Sequence, residues 1–228
     1  MNDLAQNLIE ELQCETVFTI PILGGIPVSE AVVVTWIIMA VLVVVSFILT
    51  RNLKVDHISK RQAVAESIVT GLMKMVQGMV GEKGKAYLPY LTTVMLYIGV
   101  SNIIGLFGFK SPTKDLRVTV ALALMSIILI EAAGIYHKGV KRWLHGFVEP
   151  VAIVTPINIL EVVTKPLSLC MRLFGNVLGA FVIMELLKMI LPVGLPVVFS
   201  LYFDIFDGLL QAYVFVFLTS LYIDEITE

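Results

Sequence analysis

Long apolar stretches separated by short polar connections dominate the chain. The clearest, residues 30–50, runs from Ala31 to Thr50 without a charge (AVVVTWIIMAVLVVVSFILT). About 20 apolar residues suffice to cross a ~30 Å hydrocarbon core, so this stretch predicts a first membrane helix. A second stretch spans Leu88 to Phe109, and a third spans Val118 to Tyr136, interrupted only by Glu131. Together they predict a helical hairpin over residues 88–136. Residues 151–228 are long, apolar and punctuated by charges. Pro192 and Pro196 bracket Gly194 there, a turn signal that separates one helix over 155–190 from another over 197–223. Each exceeds the ~20 residues of a perpendicular crossing, which predicts tilt or extension past the bilayer.

Residues 61–82 follow a different pattern. Val64, Ile68, Leu72, Met75, Val76 and Met79 recur at helical spacing opposite Gln62, Glu66, Thr70, Lys74 and Gln77. That is an amphipathic helix, lying on the cytoplasmic membrane surface or packed on protein as a linker. The predicted fold is therefore all-α and polytopic. It has five membrane helices, one amphipathic surface helix and an external N-terminal segment over residues 1–28.

Composition narrows the class. Of 228 residues, 58% are hydrophobic and 15% charged, against ~25% charged in soluble domains. A soluble globule and a disordered chain are both excluded. The net charge of -2 leaves no basic domain for nucleic acid. Cys14 and Cys170, with His57, His137 and His145, lack metal-ligand spacing, and no phosphate-binding glycine motif is present. No metal or cofactor is expected. Residues 1–50 hold no Lys or Arg, whereas Arg51, Lys54, Lys60, Arg61, Lys74, Lys83 and Lys85 crowd the next connection. Lys138, Lys141 and Arg142 follow the third span. Cations concentrate on the cytoplasmic side, so the N-terminus is expected outside and the C-terminus inside. Lys110, Lys114 and Arg117 on the outer turn are a minor exception.

Ionisable groups inside membrane helices are expensive and each invites a functional reading. Glu161, Lys165, Ser168, Arg172, Asn176 and Gly179 are spaced by three or four, on one helical face. Arg172 sits mid-segment, costs ~2.5–3.5 kcal/mol there, and cannot lose its proton. In the last helix Ser200, Asp204, Asp207 and Gln211 again share a face. Two such faces, both buried, suit an ion path; an internal Arg–Asp pair locking the helices together is the structural alternative. Glu131 reads equally as path lining or structural pairing. Asn102 reads as a helix–helix hydrogen-bonding residue, and Asp115 with Arg117 as a tie in the outer turn.

At this point a resemblance emerges. Residues 165–176, from Lys165-Pro166-Leu167-Ser168 to Arg172-Leu173-Phe174-Gly175-Asn176, resemble the KPLSLxxRLFGN signature of subunit a of the F-type ATP synthases. Leu210-Gln211-Ala212, with Phe215, Leu218-Thr219 and Tyr222, is similar to the family's last-helix signature. Gly108 to Thr113, Asp115-Leu116, Val118-Thr119 and the run Asn102 to Leu106 resemble further family segments. The likeness covers residues 88–228, and its RLFGN form resembles bacterial or plastid members.

The resemblance implies a stator channel beside a rotating c-ring, with two half-channels carrying protons, or sodium ions, to and from the ring's carboxylates. It implies that the last two helices form a tilted hairpin facing that ring, and that ATP chemistry lies on other subunits. The family's essential Arg corresponds to Arg172, its Asn to Asn176 and its Gln to Gln211. Asp204 stands where many members carry Glu or His, and Glu161 matches the Glu upstream of the signature. Asp207 and Ser168 join the path; Glu131, Asn102 and Asp115 are possible lining. Phe181 departs from the pattern, since many members carry Glu or His there; Glu185, one turn on, is placed to substitute. The implied partners are the c-ring, b-type peripheral stalk subunits, the soluble ATPase head and the lipid bilayer. The implied location is the bacterial inner membrane. A stand-alone secondary ion transporter and a non-transporting membrane scaffold are the alternatives.

Overall fold

A computed structural model of the chain describes residues 16–21, 26–51, 53, 59–81, 83–107, 109, 111–148, 154–190, 194 and 199–227. The helices are α1 (Glu30–Thr50), α2 (Lys60–Gln77), α3 (Leu88–Ile103), α4 (Leu116–Lys138), α5 (Val140–Gly146), α6 (Thr155–Ile190) and α7 (Gly208–Thr227). Five segments are long and apolar enough to cross a membrane: α1, α4, α6, α3 with its flanking 3-10 turns, and α7 with the turn before it. The polytopic helical architecture matches the hydropathy pattern.

The core is where α3, α4, α6 and α7 meet. Leu91 and Ile98 of α3, Ile130 of α4, Leu169 and Leu173 of α6, and Phe215 and Ile223 of α7 are fully buried in one cluster. The closest packing is α3 on α7 and α4 on α6, followed by α4 on α7. α6 and α7 touch each other far less. The expected hairpin is thus two helices mounted on an α3–α4 frame. α1 lies at the periphery: Ala31, Val34 and Ile38 are buried, while Val43, Phe47 and Ile48 are exposed, as a lipid-facing helix would be.

α2 shows how far amphipathicity predicts contact. Ser59 caps it, its hydroxyl accepting from the Gln62 N–H at 3.3 Å. Val76 is buried and Leu72 and Met79 pack on the core, but Val64, Ile68 and Met75 of the same apolar stripe stay exposed. A membrane surface is one cover that suits such a face.

One element departs from the all-helical pattern. Thr16–Ile20 (β1) pairs antiparallel with Ile26–Ser29 (β2), with Phe18 opposite Val28. Both strands are rich in β-branched residues, which favour extended backbone. Of the Pro192–Pro196 turn only Gly194 is described, and residues 1–15 lie outside the described residues.

α6 has 36 residues, ~54 Å at ~1.5 Å per residue. That outruns a ~30 Å core, so the helix tilts or projects. Pro166 lies inside it and removes one backbone hydrogen bond.

Candidate functional site in the last two helices

α6 divides sharply by chemistry. Leu169, Cys170 and Leu173 are buried, whereas Ser168, Arg172, Gly175 and Asn176 are exposed. The polar face expected to be buried is therefore open, uncovered by the other described residues. Arg172 stands on it near the helix middle. Among the described residues Arg172 forms no ion pair, and neither does Asp204 or Asp207. The internal Arg–Asp lock is not formed among them. A side chain that cannot lose its charge is thus left without a counter-charge among the described residues.

Among the described residues two polar ties join α6 to α7. The first lies one turn beyond Arg172, where Asn176 Nδ2 donates to Gln211 Oε1 at 2.6 Å. Gln211 is 2% exposed, and its Nε2 has no partner among the described residues. A buried amide N–H with an unused hydrogen is a ready donor for an arriving oxygen. The second tie is at the far end. Lys165 Nζ lies 3.0 Å from Glu225 and 3.9 Å from Glu161, and 5.2 Å from the Tyr222 ring centroid. Glu225 is 60 positions from Lys165, a pairing no local spacing reveals.

Asp204 and Asp207 sit in a π-helical stretch, Leu201–Asp207. Its wider turn breaks the α-helical register expected of Ser200, Asp204, Asp207 and Gln211, so the four do not share one regular stripe. Such wide turns are rare and concentrate at functional sites. Both carboxylates are half-buried. Asp204 is packed against Gly105, where an added Cβ would lie 3.2 Å from Oδ1. The turn continues directly into Gly208, whose carbonyl accepts from Asn102 Nδ2 at 2.9 Å.

The remaining candidates hold the frame. Asn102 Oδ1 accepts from Thr113 Oγ1 at 2.8 Å, and Ser111 Oγ donates to the Ser101 carbonyl at 2.8 Å. Asp115 accepts from Ser29 Oγ at 2.7 Å and from the Arg117 N–H at 2.9 Å, capping α4. Glu131 accepts from Trp143 Nε1 at 2.9 Å. Glu185 is half-buried on α6, one turn past Phe181. Over the Phe181 ring lies Lys114 Nζ, 3.6 Å from the centroid. Sequence reasoning gave no site role to Lys114 or to Asp224, whose carboxylate accepts from the Gly81 N–H at 3.0 Å.

One helix thus presents a cation with no ion pair among the described residues, and the other, with the segment leading into it, presents carboxylates and a half-satisfied amide. The model of the family described as ATP synthase A chain matches residues 32–224. ATP synthase subunit a of Moorella thermoacetica is 36% identical over 203 residues, covering 88% of this chain and 92% of that one. The sodium ion specific ATP synthase subunit a of Propionigenium modestum is 35% identical over 87% of this chain and 74% of its own. ATP synthase subunit a 1 of Crocosphaera subtropica is 31% identical over 87% and 86%.

Proposed function

The chain belongs to the ATP synthase A chain family, and on that premise we propose that it is subunit a of an F-type ATP synthase. It is the stationary membrane subunit through which ions, protons or sodium, reach and leave the carboxylates of a rotating c-ring. The observation that carries this reading is the exposure of Arg172 on the open face of α6, without an ion pair among the described residues. An unpaired permanent cation at that depth calls for a partner's carboxylate. When one approaches, the cation favours its ionised form, so the carboxylate gives up its ion there. The same charge separates the arriving ion from the departing one, which prevents a direct leak.

Asp204, Asp207 and Glu185 then line the outer half-channel. Glu161 and Ser168 line the inner one, near the Lys165–Glu225 tie. Asn176 and Gln211 stand between them, the Gln211 Nε2 offering its unused hydrogen to ring carboxylate or water. Each charge crossing 100 mV releases ~2.3 kcal/mol, so several must be pooled through a rotor to make one ATP. ATP chemistry lies on the soluble head, and b-type stalk subunits hold the stator. The chain sits in the bacterial inner membrane with its N-terminus outside and its C-terminus in the cytoplasm, as the cation distribution supports.

The test is Arg172→Ala in the whole complex, reconstituted in vesicles. The variant is expected to copurify with ring and head yet lose ion-driven ATP synthesis. Normal synthesis by an assembled Arg172→Ala complex would sink the reading.

A further inference from the structure

The short helix α5 plays no part in the function above, yet its apolar and basic residues are sorted to opposite sides. Gly139, with a φ of 77°, ends α4 and lets the chain turn into α5. Val140 and Leu144 lie one turn apart with Trp143 beside them, while Lys141, Arg142 and His145 lie on the other side of the helix. The helix is held at both ends. Trp143 Nε1 donates to Glu131 of α4 at 2.9 Å and its ring meets Phe147 edge-on, with centroids 5.0 Å apart. Asn158 Nδ2 of α6 donates to the Phe147 carbonyl at 3.0 Å. Val140, Leu144 and Val148 nevertheless stay exposed, and so do Lys141 and Arg142.

Two observations say what covers this surface. The first is depth. α4 has 23 residues, ~34 Å at ~1.5 Å per residue, just enough to cross a ~30 Å hydrocarbon core. Its exposed row of Leu124, Ile128, Ala132 and Tyr136 is apolar and runs to the end where α5 begins. α5 therefore starts where hydrocarbon gives way to headgroups, the level at which Trp rings and amphipathic helices settle. The second is charge. Between Glu131, held by Trp143, and Glu149 the sequence has no carboxylate, but it has Lys138, Lys141 and Arg142. Such cations pair with phosphate oxygens, which the Arg fork meets two at a time. A zwitterionic headgroup brings its own ammonium to the same place, so the patch favours lipids of net negative charge. We propose that α5 is a binding site for anionic phospholipid: Val140 and Leu144 seat at the acyl boundary, and Lys141 and Arg142, with Lys138 at the junction, gather anionic headgroups. The proposal rests on α4 spanning the membrane and is independent of the ion path.

The experiment uses the intact purified complex in phosphatidylcholine nanodiscs. These hold a trace of either phosphatidylglycerol or phosphatidylcholine made photoreactive in the acyl chain near the glycerol. After illumination, cross-links to residues 139–148 are measured by mass spectrometry. One cation at an anionic surface is worth about fivefold (~1 kcal/mol), so two predict a phosphatidylglycerol preference of roughly 25-fold at low salt. Salt at about 0.5 M should bring that ratio toward parity. Lys141→Gln combined with Arg142→Gln should do the same at low salt; Lys141→Gln alone, with a ratio about fivefold lower, serves if the double variant fails to assemble. Leu144→Gln should reduce the yield from both lipids and leave their ratio intact. Equal yields from the two lipids in the unmodified complex overturn the proposal, as does an unchanged ratio in the charge variants. Loss of the preference in millimolar inorganic phosphate at constant ionic strength would assign the patch to free phosphate. Loss of the stalk subunits from the charge variants with the lipid ratio unchanged would assign it to protein. Either result overturns the lipid assignment.

Discussion

Gly208 is the point where the carboxylate-bearing turn becomes α7 and meets α3. A Cβ built there would lie 2.8 Å from Asn102 Cβ. Two such carbons rest at ~3.5–4.0 Å, so Gly208→Ala must part the helices by about 1 Å. Overpacking of this kind costs ~1–3 kcal/mol. The Asn102 Nδ2–Gly208 carbonyl bond, now 2.9 Å, would stretch beyond hydrogen-bonding range. Its loss adds ~0.6 kcal/mol, at most ~1.7. The sum is about 2–4 kcal/mol. Because Gly208 follows Asp207 directly and precedes Gln211 by one turn, the shift also moves the site, where ~1 Å of misplacement can reduce a rate ~100-fold. The expected result for the purified complex is a thermal midpoint several degrees lower and ATP-driven pumping nearly lost. Adding Asn102→Gly should relieve the clash and recover part of the midpoint, but not the hydrogen bond. A Gly208→Ala complex with an unchanged midpoint and full pumping would refute the close-approach argument, and so would a double variant no better than the single one.

The other expectations concern which polar groups carry ions. Asp204→Asn combined with Asp207→Asn should slow ion flow through assembled complexes more than Asp224→Asn does. Asp224 is occupied in holding the Gly81 N–H, so its loss should lower stability by ~1–2 kcal/mol instead; equal slowing of ion flow would place the path elsewhere. Gly175 and Gly179 have nothing within 4 Å of an added Cβ. Leu at either position should leave the subunit's midpoint unchanged while reducing pumping, because the covering atoms belong to a partner. Pumping at the unmodified rate would mean that no partner packs closely beside Arg172.

Much of the fold was legible because burial in a membrane leaves a simple trace. The charge-free run of Ala31 to Thr50 delimits a helix with little ambiguity, and the isolated Glu131 is not enough to break the third span. Arg172 and Asn176 stood out because polar residues at helical spacing within apolar sequence have few explanations. What stayed hidden was long-range. Lys165–Glu225 joins residues 60 apart, and the Asn176–Gln211 bond joins residues 35 apart. The π-helical turn also escaped notice, since Asp204, Asp207 and Gln211 fit an ordinary helix equally well on paper. Spacing could place Arg172 and the two aspartates on polar faces, but could not say that the faces avoid each other. The β1–β2 hairpin was missed because short β-branched runs are faint beside twenty-residue apolar spans.

The sparse contact between α6 and α7 has a mechanical meaning. α6 is bolted to α4, α7 is bolted to both α3 and α4, and the two helices touch each other sparsely, with two polar rivets between them among the described residues. A sideways push on α6 is therefore passed into α4, the plate that both helices share, more than across their own sparse seam. Through that shared plate the two helices shift together under load, as two posts set in one base do, and the cation on one keeps its place relative to the carboxylates on the other.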